Sequence, residues 1–247
     1  MPSEHFADKD INLYLNYISE VKNLSQNTTS SYKRDLKKLS IFLDSINIKN
    51  YEEIDDGICT SWLGDLYSLE NNPKTIQRHL SSAKGFFKFL KQNSIIDSSP
   101  FELVKAPKSP NYLPEVLSPE DVSQLLNFKP SDALELRDLA IVELMYSSGL
   151  RVSETANINL DDFEEEKSFL RVFGKGSKTR LVPIGRYAKN AIDNWINERA
   201  KYSEDSKALF INLKGSRLSV RSIQLRLNRL ALKQGLPPVH PHMLRHS

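Results

Sequence analysis

The sequence predicts a mainly α protein in two parts: an all-helical N-terminal domain, and a mixed α+β domain carrying a small antiparallel β-hairpin or sheet. Three observations predict it. At 247 residues the chain exceeds what one ordinary core usually takes. Apolar residues recur at helical spacing, and strand-like residues cluster around one turn between Phe169 and Ile184. Prolines at 100, 107, 110, 114 and 119 interrupt helix and sheet alike between the two parts.

Composition narrows the functional classes. Hydrophobic residues at 39%, charged residues at 26% and only 9 Gly describe a globular helical protein, not a fibrous or disordered one. The single cysteine, Cys59, excludes an internal disulfide and a cysteine-only zinc cluster. The start MPSEHFADKD lacks a basic-then-apolar signal, and no apolar run approaches the ~20 residues needed to cross a bilayer, so a cytoplasmic protein without membrane function is expected. A net charge of +3 says little by itself, but its distribution is uneven. From Glu115 to Glu166 acids far outnumber Lys129, Arg137 and Arg151, whereas no carboxylate side chain follows Asp205 among many bases. An anionic partner is expected near that end.

The N-terminal domain, residues 1–104, reads as several amphipathic helices. The clearest runs from Thr75 to Gln92, with Ile76, Leu80, Ala83, Phe87 and Leu90 on one face and Thr75 as the expected N-cap. Lys84, Lys88 and Lys91 project together, Lys74 and Arg78 lie farther round, and no acid intervenes between Asn71 and Ile96. Taken alone this is a solvated face; the motifs that follow turn it into a candidate DNA surface. Residues 105–117 form an extended linker, whose Lys105 and Lys108 suit either a strap along a phosphate backbone or plain solvent.

The second domain, residues 118–247, opens on Ser118-Pro119-Glu120-Asp121: an N-cap, a proline at the first helical position and two acids suited to the helix dipole. Leu139 to Tyr146 is almost wholly apolar and marks a buried helix that Gly149 terminates, with Arg151 emerging directly after it. Phe169–Phe173 and Leu181–Ile184 flank the turn GKGSKT as a β-hairpin with Lys175 at its tip. Helices from about 186 to 201 and 219 to 234 lead to the closing VHPHMLRHS. Arg221, Arg226, Arg229 and Lys233 fall opposite Ile223, Leu227 and Leu230, giving a second predicted DNA face.

Three motifs carry chemistry. An arginine fixed at a turn, as in GLRVSE, is suited to bidentate phosphate binding, although an ion pair with Glu154 is the plain alternative. Lys175 sits between two glycines that let a backbone approach; its segment is no P-loop, because GKGSKT has the wrong residue order and joins two strands. In HPHMLRHS, His242 and Arg245 share a helix face, so one can move a proton while the other holds an anion. A metal site from His240, His242 and His246 lacks a nearby carboxylate or thiolate, and none is expected.

Together GLRVSE, GKGSKTRLVPIG and HPHMLRHS, in that order behind a basic helical domain, resemble the tyrosine recombinase or phage-integrase family, and within it the bacterial Xer recombinases, over nearly the whole chain. The resemblance implies a SAM-like core-binding domain and a catalytic domain that clamp opposite sides of duplex DNA. It implies strand exchange through a 3′-phosphotyrosine, with no metal or nucleotide cofactor, serving chromosome dimer resolution and segregation at cell division. The implied partners are duplex DNA with inverted-repeat half-sites, an XerD-like protomer in a cyclic tetramer and an FtsK-type DNA translocase. By resemblance Arg151 and Arg245 hold the phosphate oxygens, Lys175 protonates the departing 5′-oxygen, His242 accepts the tyrosine proton or donates to a phosphate oxygen, and His246 braces its helix. Lys74, Arg78, Lys84, Lys88, Lys91, Lys178, Arg180, Arg221, Arg226 and Arg229 are the expected DNA contacts. One departure is Thr155, where the family often has leucine. A larger one is that the family's nucleophilic tyrosine comes from a helix beyond this last motif, whereas all 9 tyrosines here precede HPHMLRHS. The expectation is an incomplete catalytic domain that binds DNA without cleaving it; the alternative is a noncatalytic DNA-binding accessory protein.

Overall fold

Side-chain oxygens fix where three of the N-terminal helices begin. In the computed structural model, which describes residues 5–108, 116–164, 166–174, 179–203 and 206–247, the chain divides into two units, Met1–Asn111 and Tyr112–Ser247. In the first, α1 (Asp8–Asn16) runs into a π-helical turn, Tyr17–Val21, and α2 spans Gln26–Ser45 behind Ser25, whose Oγ accepts from the Thr28 amide at 3.3 Å. α3 (Asp56–Ser68) starts on Asp55, which accepts from the Ile58 amide at 2.8 Å. α4 spans Pro73–Gln92.

The start of α4 corrects the expectation for Thr75. The N-cap is Asn72, whose Oδ1 accepts from the Thr75 amide at 2.8 Å, and Thr75 lies inside the first turn. Pro73 explains the earlier start: its fixed φ suits the first helical position, and it has no N–H to leave unsatisfied there. The apolar face holds as predicted, with Ile76, Leu80, Ala83, Phe87 and Leu90 all buried against Leu36, Leu39, Trp62 and Phe101.

Gly85 sits where α4 meets buried Tyr14 of α1. A Cβ at this position would overlap the Tyr14 hydroxyl. Gly85→Ala is therefore expected to destabilise the unit by about 1–3 kcal/mol despite alanine's higher helix propensity, because overpacking a closed contact costs more than propensity returns. A lowered urea midpoint at unchanged slope checks this.

In the second unit, α5 (Pro119–Leu126) carries the predicted start as a reciprocal cap: Ser118 Oγ accepts from the Asp121 amide, and Asp121 accepts from the Ser118 amide, both at 3.1 Å. α6 (Ala133–Ser148) ends on Gly149 at φ 56°, the left-handed conformation that glycine adopts without strain. α7 (Val152–Asn157) follows at once. The predicted hairpin, β2 (Phe169–Phe173) and β3 (Thr179–Pro183), gains a short strand β1 (Phe163–Glu164), giving an antiparallel sheet in the order β1-β2-β3. Leu170 pairs with Val182 and Val172 with Arg180.

α8 (Arg186–Arg199) packs against α6, and α9 (Val220–Lys233) and α10 (Pro241–His246) complete the unit. α6 serves two apolar clusters at once, which is why its sequence is apolar nearly all round. One contains Ile141, Met145, Trp195, Phe210 and the inner sheet residues Leu170 and Val172; the other contains Val142, Leu227, Leu230, Val239 and Leu244. No helix among the described residues is long and apolar enough to cross a membrane.

Candidate functional site

Arg151 is the N-cap residue of α7, placed there by the glycine turn that ends α6. Its backbone amide donates to Glu154 Oε2 at 2.9 Å, and its Nη1 donates to Glu154 Oε1 at 3.1 Å. The ion pair foreseen as the plain alternative thus exists, yet the Arg151 side chain stays 51% exposed while Glu154 is 5% exposed. Its Nε and Nη2 donate to none of the described residues. Arg180 of β3 grips the same carboxylate bidentately, with Nη1 to Oε1 and Nη2 to Oε2 both at 3.0 Å. Burial acts to raise the Glu154 pKa, but hydrogen bonds from Arg180 and the Arg151 amide, with the charge of Arg180, bring it down to about 2.

Thr155, the departure behind Arg151, is fully buried, and its hydroxyl donates to the Arg151 carbonyl at 3.1 Å. Where a leucine would only fill space, threonine also ties the first turn of α7 to its cap. At the far end of α7, Arg217 donates to the carbonyls of Ala156 at 2.9 Å and Ile158 at 3.1 Å.

α10 begins with Pro241 at a first-turn position and seats Leu244 in the apolar cluster that includes Val142 of α6. Val142 lies six residues before the end of α6, about 9 Å of helical rise from the turn that leads to Arg151. The elements bearing Arg151 and Arg245 therefore share α6 as their support, and both pack against it. His242 is exposed, and Arg245 is half-buried, with its Nη1 buried and without a hydrogen-bond partner among the described residues. A buried guanidinium N–H left unpaired costs on the order of 1–3 kcal/mol or more, so an acceptor brought to it would be stabilised. Lys175 and Lys178 lie outside the described residues.

The predicted DNA-contacting cations are not equally free. On α4, Lys74, Lys88 and Lys91 are exposed, and Lys84, Lys88 and Lys91 line a groove of about 450 Å3 with Gln92, Ser99 and Glu102. Glu102 approaches from beyond the helix: its carbonyl accepts from Lys84 at 3.3 Å, and its carboxylate lies 3.9 Å from Lys91. Arg78 is paired to Asp35, whose carboxylate is buried beside His79. Burial, then the charges of Arg78 and Lys38, push the His79 pKa down to about 4, which leaves it neutral at pH 7.

On α9, Arg221 and Arg229 point outward, whereas Arg226 Nε donates to buried Asp138 at 2.5 Å and Lys233 Nζ is paired with Glu135. Exposed Leu225 and Leu232 accompany Arg221 and Arg229 on that outer face. Sequence reasoning did not single out the buried acids Asp35 and Asp138, and treated Glu154 only as a rival partner for Arg151. The readable signal was an acid three residues after Arg151, where an N3 glutamate caps a helix, and an Arg-Asp pair inside an apolar helix.

The comparisons agree with this architecture. The profile described as "Phage integrase family" matches residues 115–247, and that of "Phage integrase, N-terminal SAM-like domain" matches residues 11–94. Tyrosine recombinase XerC of Shewanella amazonensis is 37% identical over 235 residues, which cover 95% of this chain and 78% of that protein. Among solved structures, the XerH site-specific recombinase bound to palindromic difH substrate in a post-cleavage complex aligns at TM-score 0.74 and 21% identity over 96% of this chain and 72% of that one. A lambda integrase dimer bound to a COC′ core site aligns at TM-score 0.73 and 17% identity, covering 96% and 67%. With both profiles in chain order and the XerC relative aligned over 95% of this chain and 78% of its own length, the chain belongs to the phage integrase family of tyrosine recombinases, in its Xer-like branch.

Proposed function

We propose that this chain is the DNA-binding and phosphate-clamping part of an XerC-like site-specific recombinase, acting on a duplex with inverted-repeat half-sites. The observation that carries the reading is the buried Nη1 of Arg245, unpartnered among the described residues, on a helix supported by the same α6 that leads to half-exposed Arg151. Two fixed guanidinium groups with vacant donors suit the non-bridging oxygens of one phosphodiester, where they would offset the charge that grows as phosphorus becomes pentavalent. His242, exposed on α10, is suited to accept the proton of an attacking tyrosine, and Lys175 to protonate the leaving 5′-oxygen. The basic groove of α4 and the outer face of α9 supply the remaining backbone contacts.

The relatives support the choice of partner: the XerH complex holds a palindromic substrate, and the lambda integrase is a dimer on its core site. A second recombinase protomer, XerD-like in the Xer reading, is the protein partner, and a translocase of the FtsK type is the further one. The cellular role is chromosome dimer resolution in the cytoplasm.

The 247-residue polypeptide binds duplex without cutting it, since none of its 9 tyrosines follows the α10 motif. A nicked suicide substrate tests this directly: retention on the duplex with no covalent adduct is expected, and an adduct overturns it. Salt titration tests the contacts. Arg221→Ala and Arg229→Ala should each flatten the dependence of log K on log salt by about one unit, as one phosphate contact is lost. Arg226→Ala should lower stability more than affinity, because its guanidinium is committed to Asp138.

A further inference from the structure

We propose that Arg180 is a positioning residue that neutralises Glu154 so that Arg151 keeps its positive charge for a phosphate, and is not itself a DNA contact; this rests on the phosphate-clamp reading above. The geometry is asymmetric. Arg180 spends both terminal nitrogens on Glu154 in a paired fork, whereas Arg151 spends one terminal nitrogen and its backbone amide. The Glu154 carboxylate, 5% exposed, is thereby filled: each oxygen accepts two hydrogen bonds. Two guanidinium charges against one carboxylate leave a surplus of one positive charge, and it resides on Arg151, the more exposed of the two at 51% against 39%.

Without Arg180, the carboxylate would have Arg151 as its sole close cation among the described residues. The Arg151 side chain would then be drawn fully onto Glu154, and its field at a neighbouring phosphate would be cancelled at short range. Arg180 is also the strand residue paired with Val172, whose side chain is buried, so its backbone is held by the sheet independently of the ion pair. The strand thus presents a fixed counter-charge at no cost to the phosphate clamp. A lysine could supply the charge but not the fork, because its single ammonium cannot engage both carboxylate oxygens in one plane.

Duplex binding by the 247-residue chain, measured in wild-type and Arg151→Gln backgrounds, tests the proposal. One phosphate contact is worth about tenfold in affinity at 0.1 M salt, from a slope of about 0.9 per contact. Arg180→Gln should cost about that factor in the wild-type background and nothing further in the Arg151→Gln background, since it acts through Arg151. Glu154→Gln combined with Arg180→Gln should recover most of the loss by removing the charge that needed neutralising, and Arg180→Lys should recover part. In the unaltered chain, the Arg151 Nε–Hε resonance should shift on duplex addition while that of Arg180 stays in place, a readout that needs no variant to fold. Equal losses from Arg180→Gln in both backgrounds, or an Arg180 resonance that shifts with the duplex, overturn this proposal alone. Absence of binding by the unaltered chain overturns the DNA reading and this proposal with it.

Discussion

Asp138→Ala is expected to cost the C-terminal unit about 3–5 kcal/mol, the largest stability loss from any single substitution considered. Asp138 is 4% exposed in the middle of an apolar helix, and its two oxygens serve two arginines on different elements. Oδ1 accepts from Arg137 Nη2 at 2.9 Å and from its Nε at 3.3 Å; Oδ2 accepts from Arg226 Nε at 2.5 Å. Arg137 is itself only 2% exposed, and its Nη1 reaches the Ile211 carbonyl at 3.1 Å. Truncating the acid leaves that guanidinium buried without its counter-ion, which is the costly half of breaking a buried pair. A background without the charge isolates this cause: in an Arg137→Met chain, Asp138→Ala should cost markedly less. Denaturant unfolding of the four chains of this cycle gives the coupling, and equal costs in both backgrounds would show the carboxylate acting elsewhere.

The same residue shows why the site is less legible in the sequence than the fold. The fold follows from local chemistry that any reader of the sequence meets in order: the helical period of Ile76, Leu80, Ala83, Phe87 and Leu90, the capping run at Ser118, the glycine after Ser148 and the strand-like residues around Phe169 to Ile184. Each of these acts within a few residues of itself. The commitments of the cations do not. Arg226 is 88 residues from Asp138, Arg180 is 26 from Glu154 and Arg78 is 43 from Asp35, and a one-dimensional projection of charge cannot distinguish an arginine held by a buried acid from one facing solvent. The error over Thr75 is of the same kind at shorter range. Within four residues, Asn72, Pro73 and Thr75 each have helix-start chemistry, and only the backbone geometry decides which side-chain oxygen accepts. Arg151 and Arg245 come from a motif resemblance and remain proposals as phosphate ligands, whereas the lack of a partner for Arg245 Nη1 among the described residues is a property of packing alone.

Glu154 makes the acid limb of stability testable. Its pKa falls from the ordinary 4.5 to about 2 in the folded chain, with burial opposing the fall and the hydrogen bonds from Arg180 and the Arg151 amide producing it. A depressed carboxylate contributes stability that is fully present above its unfolded value and disappears as pH drops through its folded value. The window is therefore pH 4.5 down to about 2. At about 1.4 kcal/mol for each pH unit, and allowing for solvent around the half-exposed arginines, the contribution is about 2–3 kcal/mol. Glu154→Gln should remove this segment of the pH dependence: near pH 7 the variant is less stable than the unaltered chain by about that amount, and towards pH 2 the two curves converge. Urea midpoints taken across pH 2–7 measure it directly. Curves that run parallel over the whole range would mean that the carboxylate charge contributes nothing, and with it would fall the idea that Arg180 is there to balance it.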